Sequence, residues 1–305
     1  MSPGNPPWYE IDEDGEIMIL EVPARLKTHP EVIRRGFELE PATPCKIGVV
    51  YRTSVLKEPL YYIKILDTDT DEAAVFQRLS HYCRDPRNHT IPGELTPPDA
   101  GHPLLITPSL SHFETLALAG SDSRLHRTLS MFLQLMEGIE FMHSLQIAHM
   151  DICLGNVVAA HWGTHHYPGV KPGKVYFIDF GSSLQLPLGP GQQHAITLPP
   201  SQYRLAYDIT TFDPYSWDVY CAALMMEQTL GVRILFAHKN PPLIARIYVA
   251  WLKGKERGCT AACRCRPDAR RARRVLSAIL WGVRAWELLK NALHGLRSLQ
   301  LPFIS

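Results

Sequence analysis

His149-Met150-Asp151-Ile152-Cys153-Leu154-Gly155-Asn156, followed further on by Val175-Tyr176-Phe177-Ile178-Asp179-Phe180-Gly181, is the stretch whose reading decides the fold. Val175 to Ile178 is β-branched and aromatic and predicts a short strand. Asp179 therefore stands at a strand end, just before a glycine turn. A carboxylate in that place can lean into a cleft and bind a hard cation through oxygen. The carbonyl of Asn156, a short loop after Asp151, can face the same cation. A third charged group, Lys64, lies in Tyr61-Tyr62-Ile63-Lys64-Ile65-Leu66, which also reads as a strand. A lysine so placed can pair with a polyphosphate as a point charge.

Outward from these groups, Gly48 to Arg52 predicts a strand, joined to Tyr61–Leu66 through a hairpin connection at Ser54 to Pro59. Asp71 to Ser80 reads as a short helix with Val75, Phe76 and Leu79 on one face. Glu72 shares that face, and a carboxylate among apolar groups needs a partner. Lys64 is one candidate, and a capping box with Asp69 is the other. Asp85 to Pro103 is Pro-rich and reads as loop with one weak strand, before an apolar strand at Leu104 to Ile106 that Pro108 stops. Leu125, Leu129, Phe132, Met136 and Ile139 recur at helical spacing, giving a long amphipathic helix ending near Ser144. Asn156 to Ala159 is a further strand, separated from Val175 by a turn-rich insertion, His161 to Gly173. Asp213 and Pro214 read as N-cap and first helical residue. The helix they open, Trp217 to Leu230, is apolar on nearly every side and should be buried. Strands first and helices second predict an α+β fold, with a small β-rich lobe and a larger helical one.

In order, spacing and context these segments resemble the protein kinases. The catalytic loop H-x-D-x-x-x-x-N stands at residues 149–156, D-F-G at 179–181, and the strand lysine as Tyr62-Ile63-Lys64. Glu137 to Asp151 resembles the end of the family's long helix running into that loop. Ser216 to Leu230 resembles its buried central helix. The similarity spans Lys46 to Leu230. It implies a bilobal protein-kinase-like fold: residues 1–40 an N-terminal extension, 41–110 the small lobe and hinge, 111–305 the large lobe. It also implies ATP and Mg²⁺ as cofactors and transfer of the γ-phosphate to a protein hydroxyl, Ser/Thr in preference to Tyr. Asp151 would orient the substrate hydroxyl and accept its proton. Asn156 and Asp179 would hold the metal. Lys64 would position the phosphates, steadied by Glu72. Gly48 and Val50 would cover the nucleotide, with Thr107 and Leu110 beside the adenine. His149, Phe180 and Gly181 would be structural members of their motifs, and Asp218 would prop the catalytic loop.

The pattern also departs from the family. Aligning Gly48-Val49-Val50 with the end of the glycine-rich loop puts Thr43 and Cys45 where glycines would stand, and side chains there hinder close approach of backbone N–H groups to phosphate. Met150 replaces the arginine that clamps a phosphorylated activation segment. The segment Ser182 to Pro200, with Thr197 its lone threonine, is therefore expected to work without phosphorylation. Cys153 stands where a lysine near the γ-phosphate is usual, and Pro199-Pro200 lacks the glutamate of A-P-E. These departures keep a non-enzymatic pseudokinase module open as an alternative. So does the similar H-x-D-x-x-x-x-N loop of aminoglycoside- and choline-type small-molecule kinases, although the helix around Trp217 to Leu224 fits the protein kinases better.

Composition sets outer bounds. The 305 residues are 46% hydrophobic and 20% charged, enough for a sizeable core, and the net charge of +1 supplies no global field for nucleic acid or an anionic membrane. The best apolar run, Val275 to Leu289, is broken by Arg284 and Glu287, so no membrane span is expected. The polar, acidic start lacks a leader pattern, and the seven cysteines are mostly scattered, as in reduced intracellular proteins. His161, His165 and His166 read as a surface loop rather than a metal site. Cys259, Cys263 and Cys265 form a tight cluster without a second cysteine pair, and zinc is a minor reading there. The basic stretch Lys253 to Arg274 reads as a solvated helix face or flexible segment.

Overall fold

The computed structural model describes residues 4–42, 45–118, 123–164, 166–203, 210–232, 240–254 and 261–299; Thr43, His165 and Cys259 lie outside the described residues. The chain is α+β. Its order is β1 (Glu10–Ile11), β2 (Ile17–Met18), α1 (Ala24–Lys27), α2 (Pro30–Arg35), β3 (Leu39–Pro41), β4 (Val50–Thr53), β5 (Tyr61–Ile65), α3 (Glu72–Ser80), β6 (Glu94–Leu95) and β7 (Leu104–Pro108). Then follow β8 (Ser111–His112), α4 (Thr115–Leu118), α5 (Arg124–Ser144), β9 (Ile147–Ala148), β10 (Val157–Ala159), β11 (Val175–Phe177), β12 (Leu184–Gln185), β13 (Ile196–Thr197) and β14 (Thr211–Phe212). Three helices close the described chain: α6 (Pro214–Gly231), α7 (Leu243–Lys253) and α8 (Ala269–Leu299).

β3, β4, β5, β7 and β6 form, in that order, one antiparallel five-stranded sheet. Its register decides which side chains share a face. Val50 lies opposite Lys64, and Lys64 opposite Leu105, so these three project to the same side. The alternate residues Tyr51, Ile63, Ile65, Leu104 and Ile106 project to the other side. There they form a buried cluster with Trp8, Val22, Leu26 and Val32. The sheet thus carries its lysine on one face and a closed apolar layer on the other.

That layer draws on the first 40 residues. Between Glu16 and Val22 only Ile17–Met18 is strand. The two helices that follow contribute Leu26 and Val32 to the core, so residues 8–37 are part of the sheet's own packing. These helices are too short to show an apolar period. Their ends are nevertheless marked: the His29 side chain accepts from the Glu31 N–H, Pro30 stands at the first helical position, and Gly36 closes the helix at φ 63°.

The larger core gathers around α5 and α6. Phe132, Met136 and Ile139 are fully buried along α5, as their spacing predicts. α6 buries Trp217, Asp218, Val219, Cys221 and Met225. The Asp213 carboxylate caps it by accepting from the N–H groups of Tyr215 and Ser216, with Pro214 at the first position. Ends of strands shift by a residue or two against expectation. β7 runs on to Pro108, which lies opposite Tyr61 at the last position of the strand, where a missing N–H costs the ladder little.

The turn-rich insertion and the basic stretch are each anchored at particular residues, while Arg264, Arg270, Arg271 and Arg274 stay exposed. Tyr167, in the turn-rich insertion, donates its hydroxyl to Leu60 O at 2.9 Å and accepts from Leu60 N at 3.0 Å, pinning the start of β5. In the basic stretch Arg266 is buried, donates to Lys253 O at 2.7 Å and lies over the rings of Phe212 and Tyr220. Arg273 pairs with Glu140 of α5. Among the described residues no helix is long and apolar enough to cross a membrane.

Leu26 is fully buried against the sheet. Leu26→Ala should lower unfolding stability by about 2–5 kcal/mol, measured by urea denaturation; a loss below about 0.5 kcal/mol would mean that residues 8–37 do not close this face.

Candidate functional site

β5 sets Lys64 on the inner face of the sheet, and the turn after β11 sets Asp179 opposite it. Lys64 Nζ lies 2.6 Å from Glu72 Oε1 and 2.6 Å from Asp179 Oδ1. The choice left open for Glu72 is thereby resolved as the ion pair: Glu72 is 2% exposed and also accepts from the Phe180 N–H at 3.2 Å. Asp71 is the N-cap residue of α3, with no side-chain capping bond.

Burial alone would lower the lysine's pKa, but the fields of Glu72 and Asp179 outweigh it and raise it. Burial likewise opposes ionisation of Asp179, yet Lys64 and Lys46 hold its carboxyl well below the usual carboxylate range. The contribution of Lys46 was not read from the sequence. Its Nζ lies 2.8 Å from Asp179 Oδ2, so each carboxylate oxygen faces one ammonium. Asp179 holds a left-handed backbone at φ 60°, which a non-glycine residue adopts only when its surroundings compel it. Gly181 leaves room for the cluster: a Cβ there would lie 3.3 Å from both Asp179 Oδ1 and Glu72 Oε2.

The segment 149–156 is held by Asp218. Its carboxylate accepts from His149 N and Met150 N, each at 2.8 Å, and faces His143 Nε2 at 3.0 Å. It is fully buried, so these bonds compensate a charge removed from water. They also hold Met150, another non-glycine residue in the left-handed region at φ 67°. The Met150 carbonyl accepts from Trp217 Nε1 at 2.8 Å. His149 Nε2 lies 3.1 Å from Ile178 O, and its ring packs near Phe180, which in turn meets Phe76 of α3. His149, Phe180 and Asp218 therefore occupy structural positions.

Asp151 and Asn156 form one unit. Asn156 Nδ2 donates to Asp151 O at 2.8 Å and to Asp151 Oδ2 at 2.9 Å, which turns the Asn156 carbonyl oxygen away from that carboxylate. Ile178 N donates to Asn156 O at 3.0 Å, tying the loop to the residue preceding Asp179. Lys64, Asp179, Asn156 and Asp151 are thus brought together through direct contacts and one backbone bond. The other oxygen of Asp151 accepts from Ser201 Oγ and Gln202 N, each at 2.9 Å. No sequence signal marked Ser201 or Gln202, since both fall in a segment without periodicity. Cys153 is buried, and burial chiefly pushes its thiol up to about 11, so it supplies no charge.

The remaining predicted residues divide. Val50 is half-buried on the Lys64 face, Thr107 lies in β7 opposite Tyr62 on that same face, and half-buried Leu110 follows the strand. Gly48 lies just before β4. It sits in a turn at φ 74° where a Cβ would come within 2.5 Å of Tyr9 Cε1 and 2.8 Å of Pro7 Cβ. The space that a side chain at this position would take is filled by the chain's own N-terminal segment. Among the described residues no group of three or more His, Cys, Asp or Glu could hold a metal by itself. His166 Nδ1 lies 3.0 Å from Gly163 O, and Cys263 and Cys265 have their sulfurs 3.1 Å apart. A separate concavity of about 560 Å³ lies between α6 and α7, and none of the ion-cluster residues lines it.

No protein-family model matches this sequence, and no curated protein matches it. The chemistry is therefore read from the site's own geometry.

Removing the Asp218 carboxylate leaves buried donors unmet, and Asp218→Ala should cost about 3–5 kcal/mol in chemical denaturation. Asp179 carries a pH signature as well. Its carboxyl is depressed in the folded state, so its contribution is complete above an ordinary carboxylate pKa near 3.8 and is lost as pH falls toward the folded value. The stability difference between wild type and Asp179→Asn, followed from pH 7 to pH 2, should stay flat down to about pH 4 and then shrink.

Proposed function

We propose that the chain is a protein-kinase-like phosphotransferase that moves the γ-phosphate of ATP to a protein hydroxyl. The observation that carries this reading is Lys64, bonded at once to Glu72 and Asp179 at 2.6 Å. A structural ion pair needs one carboxylate. Here two carboxylates from separate elements hold one ammonium beside a further acid–amide pair. In this reading the five-stranded sheet with α3 is the small lobe, and α5 to α8 build the large one.

The residues present suit Mg²⁺ and ATP. Asp179 and the outward-turned carbonyl of Asn156 are hard oxygen ligands, and a cation that keeps phosphate and water oxygens needs few from the protein. Bound there, Mg²⁺ would neutralise charge on the phosphate oxygens during transfer. The chain's own part is positioning. Lys64 holds phosphate oxygens as a point charge, and Glu72 fixes its direction. Val50, Thr107 and Leu110 offer an apolar edge for adenine. Asp151 orients the acceptor hydroxyl and takes its proton. The Ser201 hydroxyl already donates to this carboxylate at 2.9 Å, an internal instance of the contact that a substrate serine or threonine would make. Rate enhancement then comes from proximity and fixed charges, without a covalent intermediate.

A second reading, a nucleotide-binding module without turnover, has its own support. Ser201 and Gln202 occupy Asp151 Oδ1, Pro7 and Tyr9 fill the space beside Gly48, and neutral Cys153 adds no cation. Turnover separates the two. Wild type with Mg·ATP and a panel of proteins and peptides should transfer labelled phosphate, and Asp151→Asn should lower the rate at least about 100-fold. A melting shift with Mg·ATP but no transfer would select the binding module. Transfer to metabolites and not to peptides would select a small-molecule kinase.

A further inference from the structure

Lys46 has no role in the reading above, yet it is the other ammonium on Asp179. It lies in the turn before β4, where Val49 N and Val50 N both donate to its carbonyl at 3.1 and 3.0 Å. The turn is fastened from outside: Trp8 N donates to Gly48 O at 2.8 Å, and Tyr51 Oη donates to Trp8 O at 3.0 Å. Pro7 and Tyr9 pack against the Gly48 α-carbon. The backbone is therefore held by its own N-terminal segment, while the Lys46 side chain reaches the other way, to the ion cluster. That side chain is 58% exposed, with Asp179 the only carboxylate of the described residues within 4.0 Å of its ammonium.

The charge balance gives this contact a meaning. Lys64 and Lys46 together match Glu72 and Asp179, two positive groups against two negative ones. Lys64 keeps Glu72 as a partner whatever happens at Asp179. The carboxylate that Lys46 meets is the one that the proposed function assigns to a divalent cation. With Asp179 engaged by that cation, the exposed Lys46 ammonium would be left without its carboxylate. An ammonium with no remaining anion favours a phosphate oxygen through a charge-assisted hydrogen bond. The segment 149–156 contains no Lys or Arg to serve instead. Cys45, on the same turn, brings a side chain where a glycine would let backbone N–H groups approach.

We propose that Lys46 is a second phosphate-binding lysine of the nucleotide site. It replaces by one side-chain ammonium the anion binding that a glycine-rich backbone would provide. The inference deepens the nucleotide reading and rests on it.

The test is calorimetric titration of Mg·ATP and of adenosine into wild type, Lys46→Ala and Lys46→Arg. An unliganded melting curve for each variant checks folding. Lys46→Ala should weaken Mg·ATP binding about tenfold or more and leave adenosine binding unchanged. Lys46→Arg, which keeps the cation, should stay within about threefold of wild type for both. Equal Mg·ATP affinity in wild type and Lys46→Ala overturns the inference and leaves the nucleotide site standing. Parallel loss of ATP and adenosine also overturns it, because Lys46 would then shape the turn rather than hold phosphate. Wild type that binds neither ligand overturns the nucleotide reading, and the inference with it.

Discussion

One ammonium joins three parts of the chain that the sequence keeps far apart. Lys64 leaves the inner face of β5, meets Glu72 from the first turn of α3, and meets Asp179 after β11. In a partly dry site a charge of this kind is tolerable only when its partners are close and themselves hydrogen-bonded. The Phe180 N–H supplies such a bond to Glu72, and Lys46 supplies the opposite charge to the second oxygen of Asp179. Moving α3, the sheet or the Asp179 turn alone would leave at least one charge without its partner. The cluster therefore sets the relation of the sheet to the helical part, and with it the geometry of everything between them.

The backbone around the cluster is held in conformations it would not adopt freely. Met150 and Asp179 are non-glycine residues at φ 67° and 60°. Each such residue costs on the order of 1–3 kcal/mol, and persists where surrounding bonds over-determine it. Asp218 supplies those bonds to Met150 through the backbone of the loop, and the two lysines supply them to Asp179. Strain and its compensation sit at the same place, as expected for a site built to hold groups in fixed directions. The loop's methionine fits the same account: its side chain is fully buried, and what the loop uses of it is the backbone, through the N–H to Asp218 and the carbonyl to Trp217.

The sequence was legible where local pattern and local chemistry agree. The β-branched and aromatic run Tyr61 to Leu66 located the strand that carries Lys64. The spacing of α5 and the Asp213-Pro214 start of α6 located the helices to within a few residues. Asp218 was readable from the resemblance its helix carries, and its burial from the apolar residues around it. Three things were not legible, and for physical reasons. Lys46 looks like any solvated lysine until the fold brings Asp179 to it. Ser201 and Gln202 reach Asp151 across a distance in sequence that no period encodes. The apolar residues of 8–37 are spread over a hairpin and two very short helices, so neither a helical nor a strand period gathers them, and only the bare outer face of the sheet explains where they go. Nor does the sequence show that Gly48 accommodates Tyr9, a contact made across some forty residues.

The most direct test is a crystal structure of the chain with Mg²⁺ and a non-hydrolysable ATP analogue. The account predicts phosphate oxygens within hydrogen-bond distance of Lys64, the metal on oxygens of Asp179 and Asn156, and adenine between Val50 and the connector at Thr107 to Leu110. A nucleotide bound elsewhere, or a cleft in which Asp179 keeps both lysines at saturating Mg·nucleotide, would contradict it.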